Sequence, residues 1–190
     1  VFMSKRPYYL DKFANSGEST VELSVVLSLR NETERMESVL KDWHEALVSM
    51  GIEGFEILAI NDGSTDGTGR ALDKLRREIP SLRVVHQLYA GAERALRRGY
   101  ELARGRYLLQ IDLRGRYEPT DFQKMWEEKA DSVLVIGQRT HRLDSWTSRK
   151  LDALLQTFVR LFFGQIFSDP VVPFRLMQRE AALTSLTQLP

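Results

Sequence analysis

Residues 56–68 read EILAINDGSTDGT, an apolar run that stops abruptly at an acidic, glycine-rich turn. The apolar residues 57–60 predict a buried strand, and helix-favouring sequence follows directly after the turn. A strand that ends in a carboxylate and leads into a helix is how open α/β sheets form ligand sites at the carboxyl ends of their strands. The stretch therefore predicts a site for a small polar ligand at Asp62. A plain strand–turn–helix connection of this composition is the competing interpretation.

Further strands and helices continue this pattern along the chain. Residues 21–29 and 81–86 predict two more buried strands, and residues 105–112 predict another that again ends on an aspartate, Asp112. Helical patterns lie between the strands, for example at residues 36–47, where apolar residues recur three and four positions apart. Strict β–α alternation predicts an α/β fold with a mostly parallel sheet and helices on both faces.

Length and composition set limits on the class of protein. The chain has 190 residues and a net charge of +1, so it lacks the basic field that nucleic-acid binding requires, and we expect no nucleic-acid partner. It contains no cysteine, which removes disulfides and thiolate sites and favours a reducing, cytoplasmic location. No apolar run is long enough to span a bilayer. We expect a polar N-terminal arm over 1–20 and a single domain over 21–190.

Six sequence blocks occur in an order that is similar to one family of enzymes. The blocks are 25–32 (VVLSLRNE), 56–68, 89–99 (YAGAERALRRG), 105–119 (GRYLLQIDLRGRYEP), 136–139 (IGQR) and 169–176 (DPVVPFRL). Together they resemble the family-2 glycosyltransferases, and within that family the branch of the polyprenyl-phosphate sugar synthases. The resemblance covers roughly residues 21–182 and implies the GT-A nucleotide-sugar-binding fold.

The resemblance also implies which residues form the site. A nucleotide-diphosphate sugar would be the donor, and the implied donor-binding residues are Ser28, Arg30, Asn31, Glu32, Asn61, Asp62, Ser64, Gly91 and Arg94. The implied catalytic positions are Asp112 and Arg114. The implied acceptor-binding residues are Gln138, Arg139, Arg142 and Arg175.

The sequence departs from the family where charge matters most. The family's metal-binding Asp-x-Asp reads Asp112-Leu113-Arg114 here, and a leaving diphosphate needs a positive partner. In one arrangement Asp112 is the metal ligand and holds Mg²⁺ or Mn²⁺ with help from Glu118 or water. In another, Arg114 replaces the ion and pairs with the diphosphate. In a third, both are solvated residues of an inactive site. Ser28 and Arg30 also replace the family's Pro and Tyr, and the lysine of the 89–99 block is missing.

Residues 146–163 predict an unusually apolar helix, whose apolar positions cover close to half its circumference. Arg139 and Arg142 lie just before it. Such a combination suits a lipid-linked phosphate, with charge for the head group and an apolar surface for the tail. An exposed stripe would mark a membrane surface, a polyprenyl tail or a second copy in an oligomer, whereas a core-facing helix is the competing interpretation.

The implied reaction is a one-step, in-line displacement that inverts the anomeric centre of the sugar. A polyprenyl phosphate acceptor needs no general base, whereas a sugar hydroxyl does, and only Asp144 and Asp169 offer weak candidates for one. A lipid-linked acceptor would place the protein at the inner face of the membrane and in cell-envelope synthesis. The alternative, which the departures favour, is a nucleotide-sugar-binding or regulatory domain of the same fold that has lost transfer activity.

Overall fold

The computed structural model describes residues 21–52, 54–113, 117–129, 132–137 and 174–187. The strands in these ranges are β1 (Leu23–Leu29), β2 (Phe55–Asp62), β3 (Leu82–Gln87), β4 (Tyr107–Gln110), β5 (Leu134–Ile136) and β6 (Arg175–Gln178). The helices are α1 (Met36–Ser49), α2 (Thr68–Leu75), α3 (Ala92–Leu102), α4 (Pro119–Glu127) and α5 (Arg179–Thr187).

The strands form one sheet with the order β3-β2-β1-β4-β6-β5. β1 runs parallel to β2 and to β4, and β2 runs parallel to β3. Only β6 is antiparallel to both of its neighbours within the described sheet. The predicted mostly parallel sheet is therefore confirmed. Because the carboxyl ends of β1, β2 and β4 meet at one edge, the chain segments that end in Asp62 and Asp112 come together there.

The sheet is covered by helices on both faces, as predicted. Side chains of β1 alternate between the faces. Leu23, Val25, Leu27 and Leu29 pack in the layer that includes α1, α2 and α4, whereas Val26 packs in the layer that includes α3 and α5. These residues are almost fully buried, and a large aliphatic side chain contributes about 1.5–3 kcal/mol when it is buried.

Two predicted elements lie outside the described residues: the N-terminal arm over 1–20 and the apolar helix over 146–163. The candidate bases Asp144 and Asp169 lie outside them as well. The predictions that depend on that helix, a membrane-facing surface and a second copy, therefore stay predictions. None of the helices in the described part of the chain has the length and apolar content that crossing a bilayer requires.

Candidate functional site

A cavity of about 290 Å³ opens at the carboxyl ends of β1, β2 and β4. It is lined by residues from three strand ends and from the start of α3. They are Ser28, Leu29, Arg30, Glu32, Asp62, Tyr89, Ala92, Leu96, Gln110, Ile111 and Asp112. Five residues predicted from the sequence are among them: Ser28, Arg30, Glu32, Asp62 and Asp112. The parallel arrangement of β1, β2 and β4 is what brings these separated residues to one place.

Asp62 fixes one wall of the cavity. Its side chain is only 2% exposed, and both carboxylate oxygens accept hydrogen bonds from the protein. Oδ1 accepts from Gln87 Nε2 and from the Ala90 N–H, both at 2.8 Å, and Oδ2 accepts from the Gly91 N–H at 2.9 Å. Asp62 thereby holds the loop between β3 and α3 against the end of β2. Its predicted direct contact with a donor stays a prediction, as does that of Gly91.

Arg30 and Tyr89 form a stacked pair at the cavity wall. The guanidinium carbon of Arg30 lies 3.7 Å from the centroid of the Tyr89 ring, and the tyrosine is 60% exposed. Gly63 lets the two loops approach, because a Cβ there would lie 2.6 Å from the Tyr89 backbone nitrogen. Tyr89 opens the 89–99 block, but only Gly91 and Arg94 of that block were predicted to bind the donor, because a block does not show which way a loop side chain points.

Gln110 lies deeper in the cavity wall, at the end of β4, and is 8% exposed. The Tyr100 hydroxyl donates to Gln110 Oε1 at 2.5 Å. Burial raises the pKa of the Tyr100 phenol to about 12, against an opposing effect of the Arg175 charge, so the hydroxyl keeps its proton at neutral pH. Sequence reasoning missed Gln110 as well. A polar residue two positions before Asp112 on an apolar strand was the available signal, since it must share a face with Asp112.

The loops after β1 and β2 are joined by a set of hydrogen bonds, here called the loop latch (Asn31, Thr33, Ser64, Asp66 and Thr68). The Asn31 N–H donates to Ser64 Oγ at 3.1 Å, and Thr33 Oγ1 donates to Asp66 Oδ2 at 2.7 Å. Thr68 Oγ1 donates to Asp66 Oδ1 at 2.6 Å. The bond from the Thr68 hydroxyl, with those from Thr33, holds the pKa of the Asp66 carboxyl below its usual range. The latch fixes the position of the loop that carries Arg30 and Glu32.

Five residues predicted to bind the donor do not line the cavity: Asn31, Asn61, Ser64, Gly91 and Arg94. Asn31 and Ser64 belong to the loop latch. Asn61 Nδ2 lies 2.9 Å from His86 Nδ1, on the opposite face of β2 from Asp62, because adjacent strand residues point to opposite sides. Arg94 is exposed on the first turn of α3. Their assignment as donor contacts stays a prediction.

Asp112 is half-buried in the cavity wall, and Glu32 also lines the cavity. Glu118 precedes α4, is exposed and does not line the cavity, and Arg114 lies outside the described residues. No three His, Asp or Glu side chains in the described ranges are grouped so that they could hold a metal by themselves. Mg²⁺, however, is usually held by one or two carboxylates together with substrate phosphates and water. Asp112 and Glu32 therefore fit an ion that binds with a diphosphate.

The predicted acceptor residues Gln138, Arg139 and Arg142 lie outside the described residues. Arg175 is described, and it lies beside the cavity. Its position in β6 pairs in register with Gln110 of β4, and its positive charge acts to lower the pKa of Tyr100. Arg175 therefore comes close to the cavity from the antiparallel strand.

The family model for glycosyl transferase family 2 matches residues 24–184, which include every residue that lines the cavity. The chain belongs to glycosyl transferase family 2. It is 29% identical over 181 residues to dolichyl-phosphate beta-glucosyltransferase of Dictyostelium discoideum, a match that covers 85% of this chain and 55% of that protein. It is 27% identical over 172 residues to polyprenol monophosphomannose synthase of Mycolicibacterium smegmatis, covering 82% of this chain and 61% of that protein. The chain thus spans a little over half the length of these relatives.

The fold of this family 2 chain is also that of solved glycosyltransferases. The mannosyltransferase PcManGT from Pyrobaculum calidifontis, solved in complex with GDP-Man and Mn²⁺, superposes with a TM-score of 0.64 at 18% identity. The match covers 98% of this chain and 51% of that one. The likeness shows the GT-A fold, as the sequence resemblance implied.

Proposed function

We propose that this family 2 domain transfers a sugar from a nucleotide-diphosphate sugar to an acceptor, with inversion at the anomeric carbon. The observation that carries the proposal is the cavity at the carboxyl ends of β1, β2 and β4, with Asp112 in its wall and the start of α3 beside it. Ligands of open α/β sheets bind at this edge. The cavity contains groups suited to each part of such a donor.

The base of the nucleotide has a flat surface available. Arg30 and Tyr89 stack at the cavity wall, and heteroaromatic bases stack well on tyrosine rings and on guanidinium planes. The start of α3 would bind the diphosphate, because Ala92 lines the cavity there and the N-terminal end of the helix dipole is positive. Arg94, on the same turn, would add charge from the exposed side.

Asp112, assisted by Glu32, would hold a Mg²⁺ or Mn²⁺ ion together with the diphosphate oxygens. Such an ion supplies positive charge that stabilises the leaving nucleoside diphosphate. Arg114 is the competing source of that charge. The variant Arg114→Asp separates the two arrangements: manganese affinity rises if the arginine merely repels the ion, and nucleotide affinity falls if the arginine itself binds the diphosphate.

We further propose a polyprenyl phosphate as the acceptor. The two curated relatives described above are named for lipid-phosphate acceptors, and Arg175 lies beside the cavity in this chain. Gln138, Arg139 and Arg142 would complete the acceptor site. A phosphate oxygen is already a nucleophile, so positioning and charge stabilisation are sufficient for the transfer. This acceptor would place the protein at the cytoplasmic face of a membrane, in cell-envelope synthesis.

The test combines binding and transfer. Calorimetry with UDP and GDP, with and without manganese, should show binding that Asp112→Asn weakens in the presence of manganese. Transfer of radiolabelled sugar from UDP-glucose or GDP-mannose to undecaprenyl phosphate in detergent should then be lost in Asp112→Asn. Binding without transfer from any of a wider panel of donors would favour the second candidate, a regulatory nucleotide-sugar-binding domain. Arg114 in place of the second acid is the feature that favours that candidate.

A further inference from the structure

Gln110 carries a polar group that the protein itself does not use. Tyr100 occupies its Oε1, whereas its Nε2 makes no hydrogen bond with any described residue. The side chain is more than nine-tenths buried, yet it lines the cavity. No fully buried side-chain nitrogen or oxygen of a described residue lacks a partner, so Nε2 is accessible from the cavity, where a ligand oxygen can accept its hydrogen bond.

We propose that Gln110 Nε2 donates a hydrogen bond to a hydroxyl oxygen of the sugar carried by the donor, so that Gln110 determines sugar specificity. The inference rests on the proposed function. The chemistry of the cavity separates the parts of the donor: the exposed Arg30–Tyr89 stack suits the base, and Asp112 with the α3 N-terminus suits the ion and diphosphate. A neutral, deeply placed amide matches a neutral hydroxyl better than it matches a phosphate.

Tyr100 is the positioning residue in this arrangement. Its hydroxyl donates to Gln110 Oε1 at 2.5 Å, which selects the orientation in which the amide nitrogen faces the cavity. Without that hydroxyl the amide is free to turn over, and the cavity would then present an acceptor as often as a donor. A merely structural tyrosine would affect stability but not the preference for a sugar-bearing ligand.

The experiment is calorimetry on the full chain with UDP, UDP-glucose, GDP and GDP-mannose, with magnesium chloride in every arm. The measured quantity is the sugar preference, the Kd of the nucleoside diphosphate divided by that of the matching nucleotide sugar. Gln110→Met removes both donors at similar size and should lower the preference about five- to ten-fold. Gln110→Glu keeps the Tyr100 contact, loses the donors and should do the same. Tyr100→Phe should lower the preference less, by about two- to five-fold.

Arg98→Ala is the control, because Arg98 is exposed on the same helix as Tyr100 and does not line the cavity. It should leave the sugar preference within about two-fold, and circular dichroism checks that each variant folds. An unchanged preference in Gln110→Met and Gln110→Glu overturns the inference, whether nucleotide and nucleotide-sugar binding stay as in the parent or weaken equally. Either result leaves the proposed function standing. Failure of the parent chain to bind any of the four ligands overturns the proposed function and the inference together.

Discussion

At the scale of single residues, Asp62 shows how one side chain shapes the cavity without facing solvent. Its two oxygens accept three hydrogen bonds from Gln87, Ala90 and Gly91, so the loop before α3 depends on it. A variant at Asp62 therefore changes two things at once, the stability of the loop and the cavity wall that Asp62 forms. The stability of the Asp62 variants is therefore measured separately from their nucleotide binding.

We predict that Asp62→Ala lowers the free energy of unfolding by about 2 kcal/mol or more, because two backbone N–H groups lose a charged acceptor. Urea denaturation measures the change. Asp62→Asn should cost less, since one oxygen remains to accept a bond. An alanine variant as stable as the parent would show that the three bonds do not hold the loop.

Tyr89 is expected to contribute through its ring. Tyr89→Ala should weaken UDP or GDP binding by about 1–3 kcal/mol, the usual worth of one base–aromatic stack, while pyrophosphate binding stays the same. Tyr89→Phe should bind nucleotides as the parent does. Leu88→Ala is the control in the same loop, because Leu88 is 91% exposed and does not line the cavity. Equal loss of nucleotide and pyrophosphate binding in Tyr89→Ala would contradict a stacking role.

At the scale of elements, α3 lies unusually close to the sheet. A Cβ at Gly99 would come within 2.5 Å of Val26 Cγ1 and 3.3 Å of Ile60 Cγ1, both of them buried side chains. α3 also carries Leu96 and Tyr100, so its distance from the sheet sets the shape of the cavity and the position of Gln110.

We expect Gly99→Ala to lower the free energy of unfolding by about 1–2 kcal/mol. Alanine gains roughly 1 kcal/mol of helix propensity over glycine, but the overpacking it causes costs more. Arg98→Ala, at the adjacent exposed position, should change stability by no more than about 0.5 kcal/mol. Thermal or urea unfolding shows whether the variant is less or more stable than the parent. A more stable Gly99→Ala variant would mean that α3 can move away from β1 and β2 without a loss of stability.

The loop latch makes a pH-dependent contribution to stability. Its hydrogen bonds lower the pKa of Asp66 in the folded protein, so the stabilisation is present above the ordinary aspartate value of about 3.9 and is lost as the pH falls below it. The stability difference between the parent and Asp66→Asn should be constant above about pH 5 and shrink as the pH falls through about 4. Urea unfolding across this range measures it. A difference that does not change with pH would show that the Asp66 carboxylate does not hold the latch.

The elements show where sequence reasoning works and where it ends. The apolar run before Asp62 and the one before Asp112 predicted β2 and β4, and parallel pairing then put both aspartates at one edge. The same alternation requires Asn61 to face away from Asp62, but only the position of α3 shows which face bears the cavity. Tyr89 reaches the cavity because Gly63 has no side chain and so leaves room for the Tyr89 backbone. The two residues are far apart in the sequence. No local pattern predicts their contact.

At the scale of the whole molecule, the main apolar layer and the cavity lie in different parts of the sheet. α1, α2 and α4 pack over the larger apolar layer, whereas the cavity opens where β1, β2 and β4 end beside α3. The antiparallel β6 enters next to β4 and brings Arg175 beside Gln110. That placement depends on pairing between segments that are distant in the sequence, which no local pattern predicts.

The central claim is that a nucleotide binds in this cavity. Hydrogen exchange of the full chain, with UDP or GDP and magnesium present and absent, tests it by location. We predict protection in residues 28–32, 88–96 and 110–113, and no change along α1 and α4 at residues 46–50 and 119–127, which line a separate groove. Protection confined to that groove, or no protection with any nucleoside diphosphate, would contradict the claim.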